Sequence, residues 1–225
     1  MKRPNPILFT VALFVIPLIA GCQNGDSKAD ELHYGPWVDL LAQGHDAFVK
    51  KGGVAEYEFK DGVLIGKTRP KTQNTFLCTK KRYRDFEMTY EFLVDPRLNS
   101  GVQFRSNIKI LEDGKERVWG YQCEIDPSDR AYSAGIYEEA GRGWLADLKN
   151  NEAARKAFEQ GQWNRVRILA IRDRIQTWIN GVQAVDLLDE RTDEGFFGFQ
   201  VHQVPFADEV HVQWRHARVR EIREP

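Results

Sequence analysis

Alternation of apolar and polar residues in many short runs is the feature that most constrains this fold. Runs rich in Val, Ile, Phe, Tyr and Trp recur along the 225 residues, separated by Gly, Pro, Asn and Asp. This is the pattern of strands and turns. The clearest run, residues 85–94, places five apolar residues at alternate positions before Asp95-Pro96 stops it. Because successive side chains of a strand point to opposite faces, such a run predicts a strand with one buried face.

Turn and cap signals place the other elements. We predict a hairpin over residues 174–188 that turns at Asn180-Gly181, a pair known for tight hairpin turns. Further strands are predicted over residues 55–59, 63–66, 163–171 and 210–222. The one predicted helix spans residues 151–159, capped by Asn150 or Asn151, as a surface insertion. Many antiparallel strands without crossover helices predict an all-β fold, a β-sandwich of the jelly-roll kind.

Three strand-like segments far apart in the chain oppose polar, hydrogen-bonding side chains to apolar ones. They are residues 99–105, 120–126 and 198–202. An ordinary solvated sheet face is rich in Lys, Glu, Thr and Ser, whereas amides, two acids, one Arg and one His suit a ligand rich in hydroxyl groups. We expect one sheet face to carry the polar set: Gln103, Arg105, Gln122, Glu124, Asp126, Gln200 and His202.

Three residues of this set are candidates for acid–base chemistry. Glu124 and Asp126 lie two apart on one strand, so their carboxylates share a face, as in a retaining glycosidase or a metal site. A neutral His202 is a competent base near pH 7. All three are also candidate ligands for a divalent metal ion, although no tight zinc-ligand spacing is present. The alternative is structural: Glu124 pairs with Arg105, and His202 is an ordinary strand histidine.

Aromatic and basic residues near the Gly-rich stretch 135–144 are candidates for sugar binding. Tyr137, Arg142 and Trp144 lie in that stretch, and Gly141 and Gly143 suggest an exposed tip. Trp178 could add a second aromatic platform. The alternative is that these aromatic side chains belong to the core.

The first residues read as an export signal. Lys2 and Arg3 precede an apolar run over residues 7–20 and the lipobox Ile19-Ala20-Gly21-Cys22. We predict a signal peptide over residues 1–21, lipidation of Cys22, a tether over residues 22–33 and a folded domain over residues 34–225. The chain would then be an exported lipoprotein of the cell envelope, periplasmic or attached to the outer membrane, touching membrane only through its lipid. The alternative is a single-pass anchor, but about 14 apolar residues are short for a span.

Charge and cysteine content exclude two further classes. Without Lys2 and Arg3, 30 basic residues oppose 33 acidic ones, so nucleic acid is not an expected partner. With Cys22 lipidated, Cys78 and Cys123 remain. They predict either one disulfide or two buried thiols, and not a disulfide scaffold.

Seven segments in order resemble one known family. They are N-S-G-V-Q-F-R, G-Y-Q-C-E-I-D, A-G-I-Y, G-R-G-W-L, G-Q-W-N-R-V-R-I, T-W-I-N-G-V and G-F-Q-V-H. Together they resemble the 3-keto-disaccharide hydrolase family, whose members are also named 3-keto-glucoside 1,2-lyase/3-keto-2-hydroxy-glucal hydratase. The resemblance spans about residues 37–222. It implies a concanavalin- or laminin-G-like jelly roll, export and a carbohydrate substrate.

The resemblance implies elimination from a 3-keto-glycoside, because the ketone acidifies the hydrogen on C2. Such an enzyme needs a base, a cation at the enolate oxygen and an acid for the leaving group. Our hypothesis gives these roles to His202, to Arg105 with a metal as a candidate cofactor, and to Glu124 or Asp126. The expected substrate-binding residues are Asn99, Gln103, Gln122, Tyr137, Arg142, Trp144, Trp178 and Gln200.

Other readings of the same face remain open. A non-catalytic, lectin-like carbohydrate-binding protein would use the same amides and aromatics, and an ordinary glycosidase could use the two carboxylates. The elimination chemistry also implies a functional link to a sugar 3-oxidoreductase that forms the keto substrate.

Overall fold

The computed structural model describes residues 32–223, which form sixteen strands, one α-helix and two 3-10 helices. The predicted signal peptide, Cys22 and most of the predicted tether lie outside these residues. The 3-10 helices are Leu41–Gln43 and His45–Ala47, and α1 is Glu152–Ala157. The strands are β1 (His33–Tyr34), β2 (Val38–Asp39), β3 (Phe48–Gly52), β4 (Glu56–Lys60), β5 (Val63–Lys67), β6 (Thr75–Thr79), β7 (Phe86–Val94), β8 (Ser100–Ile110), β9 (Glu116–Ile125), β10 (Ile136–Glu139), β11 (Gly143–Ala146), β12 (Asn164–Ile171), β13 (Arg174–Ile179), β14 (Val182–Leu188), β15 (Phe196–Val201) and β16 (His211–Arg223).

The strands form two antiparallel sheets. The back sheet has the order β14-β13-β12-β7-β16-β5-β4, and β1 and β2 also pair with β16. The front sheet has the order β11-β10-β9-β8-β15-β6-β3. The three segments with the polar pattern become β8, β9 and β15, which are direct neighbours in the front sheet. The prediction that they share one face therefore holds at the level of topology.

The predicted hairpin turn at Asn180-Gly181 and the predicted helix cap at Asn151 are both confirmed. Asn180 and Gly181 have φ angles of 47° and 86° between β13 and β14, as a type I′ turn requires. Helix α1 is shorter than predicted, and the Asn151 side chain caps it by accepting a hydrogen bond from the Ala154 amide at 3.1 Å. The helix ends at Ala157 because Phe158 is already extended.

The core lies between the sheets and contains the apolar positions of the alternating runs. From the front sheet, Val102, Phe104 and Cys123 point inward and are fully buried. They meet back-sheet residues such as Phe86 and Trp214. Burial of these apolar surfaces holds the sheets together, and it leaves the opposite positions of β8, β9 and β15 on the outer side of the front sheet.

The front sheet is strongly curled. Lys51 on β3 lies 2.6 Å from Glu116 on β9, although four strand spacings separate these strands in the sheet order. In a flat sheet these strands would lie about 19 Å apart. The outer side of the sheet is therefore concave. At the Lys51–Glu116 end, it holds a small buried apolar cluster of Phe76, Cys78, Val118 and Phe196.

The structure shows the state of the two cysteines and whether a described helix could span a membrane. Cys78 and Cys123 are free, buried thiols. Their strands are not adjacent, and the side chains lie on opposite sides of the front sheet, so the disulfide alternative is wrong. No helix within residues 32–223 has the length and apolar content to span a bilayer.

Candidate functional site

A cleft of about 630 Å³ opens on the concave side of the front sheet. It lies where β9 and β15 end and β8 begins, so the adjacent strands bring distant parts of the sequence together. Eight of the residues predicted for the site line this cleft: Asn99, Gln122, Glu124, Asp126, Tyr137, Trp144, Gln200 and His202.

Glu124 is one of two almost fully buried acids of the cleft, with 4% of its surface exposed against 2% for Asp126. Each carboxylate oxygen accepts a hydrogen bond from a side-chain amide: Oε1 from Asn99 and Oε2 from Gln122 at 2.8 Å. Burial disfavours the charged form and raises the pKa of Glu124 to about 7, and the two amides oppose this shift. Glu124 can therefore give or take a proton near neutral pH.

A chain of hydrogen bonds fixes the amide that holds Glu124. Ser106 donates to Gln103 at 2.7 Å, and Gln103 donates to Gln122, which donates to Glu124. Gln103 is fully buried and does not line the cleft, so its predicted contact with substrate is wrong. It orients Gln122 instead. Gly101 leaves the space that Gln122 occupies, because a Cβ there would lie 2.6 Å from the Gln122 side chain.

Gln200 and Glu139 form a second polar pair in the cleft. Gln200 donates to Glu139 at 3.4 Å, and its Oε1 atom is buried without a hydrogen-bond partner among the described residues. Burial raises the pKa of Glu139, and the nearby Arg117 guanidinium, 3.9 Å away, opposes the shift. A buried acceptor without a partner is costly, so Gln200 offers an acceptor for a ligand hydroxyl.

His202 and Asp126 follow the two strands that flank the start of β8, β15 on one side and β9 on the other. His202 follows β15 directly, and its Nδ1 is 2.8 Å from the Gln203 carbonyl oxygen. A carbonyl can only accept, so Nδ1 carries the proton and Nε2 is the basic nitrogen of the neutral ring. Asp126 accepts from the Ser128 hydroxyl at 2.6 Å, and its other oxygen lies 3.1 Å from Arg130.

Aromatic side chains form one wall of the cleft. Trp144 on β11 packs edge-on against Tyr137 of β10, with ring centroids 5.5 Å apart. Both rings are partly exposed. A partly exposed aromatic wall beside amides and acids is typical of sites that bind sugar rings, which have apolar faces and hydroxyl edges.

Arg105 does not reach the cleft, which corrects its predicted place beside the keto oxygen. The register of β8 and β9 shifts between Phe104 and Asn107, and Arg105 has a φ of 44°. This bulge turns the side chain away from the polar face. Arg105 is fully buried, pairs with Asp85 at 2.8 Å and donates to the carbonyls of Arg84 and Arg172. The alternative pairing of Arg105 with Glu124 is also absent from the described contacts.

Arg142 and Trp178 also lie outside the cleft. Arg142 forms ion pairs with Glu138 and with Asp189, which hold the β10–β11 turn. Trp178 belongs to β13 of the back sheet, where the Arg167 guanidinium stacks 4.1 Å from its ring centroid. Alternation alone could not show that β13 belongs to the other sheet.

The predicted metal ligands do not form a metal site. Within residues 32–223, no three His, Cys, Asp or Glu side chains come close enough to hold a metal ion. The amides on both oxygens of Glu124 occupy the positions that a cation would need. The donor set of Glu124, Asp126 and His202 therefore does not fit a bound metal.

The sequence analysis assigned no role in the site to the other eight residues that line the cleft: Asn74, Pro96, Arg97, Arg117, Pro127, Ser128, Arg130 and Glu139. Glu139 had a readable signal, because it lies two positions after Tyr137 and so faces the same way on β10. Arg117 had no such signal, because it lies four positions before the inward-facing Tyr121, so alternation alone would place it on the other side of β9. Asn74, Arg97 and Arg130 lie outside the strands, where no periodicity indicates direction.

Three solved structures illustrate the fold of this chain. A protein of unknown function with a galectin-like fold from Bacillus subtilis has a TM-score of 0.61 and 12% identity, covering 87% of this chain and 100% of its own. The carbohydrate-binding module CBM66 from Bacillus subtilis has a TM-score of 0.54 and 15% identity, covering 74% and 94%. A candidate glycosyl hydrolase from Parabacteroides distasonis has a TM-score of 0.52 and 18% identity, covering 83% and 100%. At these identities the likeness shows the fold, a jelly-roll β-sandwich as predicted.

Sequence comparison defines the family. A comparison with curated protein sequences found no match. Residues 36–220, nearly all of the described chain, match the 3-keto-alpha-glucoside-1,2-lyase-like domain. The chain therefore belongs to the 3-keto-alpha-glucoside-1,2-lyase-like domain family, as its seven segments predicted.

Proposed function

We propose that this protein releases the C1 substituent from 3-keto-glycosides by elimination. A base removes the C2 proton, and the electron pair forms an enolate on the C3 oxygen. The enolate then re-forms the ketone, places a double bond between C1 and C2 and breaks the C1–O bond. The departing oxygen takes a proton. The products are a 2-hydroxy-3-keto-glucal and the free aglycone, and addition of water across C1 and C2 would give the 3-keto sugar.

The observation that carries this proposal is the environment of Glu124 in a chain of this family. Its carboxyl is buried, with a pKa near 7, between two amides at the floor of a polar cleft. Half of such groups are protonated near neutral pH, which suits an acid that protonates a leaving oxygen. An exposed glutamate would be almost fully ionised there and would donate a proton poorly.

His202 and Arg130 complete the proposed set. His202 acts as the base through Nε2, because its Nδ1 is paired with the Gln203 carbonyl. Arg130 takes the role expected of Arg105, since it lines the cleft and is half exposed, next to Asp126. Its guanidinium would stabilise the enolate oxygen as negative charge develops. Gln200, with its unpaired Oε1, would orient a sugar hydroxyl.

Incubation of residues 23–225 with a 3-keto-glucoside and its unoxidised parent tests the reaction. We expect release of the aglycone from the keto form only, because the C2 hydrogen of the parent is not acidic. His202→Ala and Glu124→Gln should each lower turnover by about 100-fold or more. Release from the parent at a similar rate would instead identify an ordinary glycosidase.

Carbohydrate binding without turnover is the second candidate. The partly exposed wall of Tyr137 and Trp144 favours it, and the carbohydrate-binding module among the similar structures has the same fold. This function predicts that Trp144→Ala abolishes sugar binding measured by calorimetry, while no glycoside, oxidised or not, is cleaved.

We also propose that the domain is exported and anchored through Cys22. The lipobox 19–22 supports this location. Labelling of growing cells with a fatty-acid analogue should mark the wild-type protein but not Cys22→Ala.

A 3-keto substrate must be formed by oxidation of a C3 hydroxyl, so an enzyme of the sugar 3-oxidoreductase class would supply it.

A further inference from the structure

A smaller cleft continues the candidate site along the concave side of the front sheet. This annex has a volume of about 180 Å³ and shares Asn74, Arg117 and Glu139 with the main cleft. It extends toward the end of the sheet that Lys51 and Glu116 close. A substituent that leaves the main cleft at Glu139 therefore enters the annex.

The floor of the annex differs from that of the main cleft. Phe76 and Val118 line it, and both belong to the small apolar cluster on the outer side of the front sheet. The main cleft is floored by Gln122, Glu124 and Gln200, and Gln200 lies directly opposite Phe76 on the neighbouring strand. The floor of the concave face thus changes from hydrogen-bonding to apolar side chains between the two clefts.

The rim of the annex is polar, since Gln73, Asn74, Glu116, Arg117, Glu139 and Gln203 line it above the apolar floor. Glu116 is paired with Lys51, and Asn74 accepts from the Gln203 amide at 3.0 Å. Arg117 lies at the junction of the two clefts with 54% of its side chain exposed. A guanidinium above an apolar floor favours an aromatic ring, because it stacks on the π-face.

The size of the annex sets the size of its occupant. A cavity of about 150 Å³ lined by apolar side chains is known to hold one benzene molecule. The annex volume of about 180 Å³ is therefore enough for a single six-membered ring.

We propose that the annex is the subsite for an aromatic aglycone, a phenol-type ring joined to C1 of the sugar. The inference rests on the proposed elimination, which places the 3-keto sugar in the main cleft. The ring lies on Phe76 and Val118 beneath Arg117. When the C1–O bond breaks, its electron pair stays on the phenolic oxygen, which takes the proton of Glu124 and leaves as a neutral phenol.

A steric block of the annex tests this subsite. Gln73 lines the annex and is exposed, so Gln73→Trp fills it without disturbing the core. The rates to compare are kcat/KM for a 3-keto phenyl glucoside, a 3-keto methyl glucoside and a 3-keto disaccharide. We expect Gln73→Trp to lower the phenyl-to-methyl ratio about tenfold or more, with the methyl substrate unchanged. The ratio between variants cancels the intrinsic reactivity of each leaving group.

Two further variants complete the experiment. Gln73→Leu places a smaller side chain at the same lining position and should lower the phenyl-to-methyl ratio less, whereas Gln160→Trp, exposed after α1, should leave every ratio unchanged. Turnover of all substrates with an unaltered phenyl-to-methyl ratio in Gln73→Trp would overturn the annex proposal alone. A block that slows only the disaccharide would assign the annex to a second sugar. Turnover of none would overturn the elimination itself and the subsite with it.

Discussion

At the scale of single residues, the site depends on how a buried carboxyl is stabilised. Two amides satisfy both oxygens of Glu124, yet burial still raises its pKa to about 7. A raised folded-state pKa means that the folded protein binds this proton more tightly than the unfolded chain does. The resulting stability is fully present below the ordinary value of 4.5 and is lost as the pH rises through about 7.

Glu124→Gln should remove this pH dependence. We expect the free energy of unfolding of the variant to rise relative to the wild type by about 3 kcal/mol between pH 4.5 and pH 8. Urea unfolding at several pH values measures it, with the exposed Glu112→Gln as a control that should show no such trend. Parallel curves for Glu124→Gln and wild type would show that Glu124 ionises as it would in water.

In the wild type, loss of the acid form of Glu124 should lower turnover above about pH 7.

Substitution of one arginine should lower the stability of the fold, and substitution of another should lower turnover with little effect on stability. Arg105 is fully buried with Asp85 and two carbonyls as partners, so Arg105→Met leaves these groups unpaired and should cost about 3–5 kcal/mol. Arg130 is half exposed, so Arg130→Gln should change the free energy of unfolding by less than about 1 kcal/mol. Thermal melts and turnover of the 3-keto-glucoside measure both effects. Turnover unaffected by Arg130→Gln would remove Arg130 from the proposed mechanism.

At the scale of strands, two glycines on the same face should behave differently. A Cβ at Gly101 would lie 2.6 Å from the side chain of Gln122, whereas one at Gly198 would be no nearer than 3.3 Å to any side chain. Gly101→Ala should therefore displace Gln122, break its hydrogen bond to Glu124 and lower turnover about tenfold or more while the fold persists. Gly198→Ala is the matched control and should keep most activity. Equal turnover in the two variants would show that the position of Gln122 is unimportant.

The alternation of apolar and polar residues correctly predicted the face to which a side chain points wherever the strand is regular. It placed Gln122, Glu124 and Gln200 on one face because β9 and β15 keep their period through these positions. It failed at Arg105, since one bulge reverses every later side chain. The bulge depends on close contact with Gly195, where a Cβ would lie 2.3 Å from the Arg105 backbone. That contact joins residues 90 positions apart, so no local pattern could indicate it.

At the scale of the whole molecule, the curvature of the front sheet turns its outer face into a concave site. The sequence signals which residues lie on the outer side of the front sheet, but not that β3 and β9 approach each other across it. Curling brings Lys51 to Glu116 and encloses the apolar cluster with Cys78 beneath them. Such curvature depends on the packing of two whole sheets. It could not be predicted from the composition of any strand.

The two buried thiols can report separately on the curl and on the core. Cys123 lies between the sheets, where burial raises its pKa to about 12, and Cys78 lies in the outer cluster near the edge strand β3. We expect neither thiol to react quickly with a thiol reagent in folded residues 23–225, and both to react after unfolding. Cys78 should react first, because opening of an edge costs less than global unfolding.

Lys51→Met should accelerate only the reaction of Cys78. An exposed ion pair contributes about 1 kcal/mol at most, so loss of the Lys51–Glu116 pair should speed labelling by up to about fivefold. Cys123 should be unaffected, because its exposure requires separation of the two sheets. Lys115→Met is the control, since Lys115 pairs with Asp113 in the neighbouring turn and holds no second strand. Equal acceleration of both cysteines would mean that the front sheet opens as one unit with the core, and that the concave end behind the annex is not a separate, weaker part of the fold.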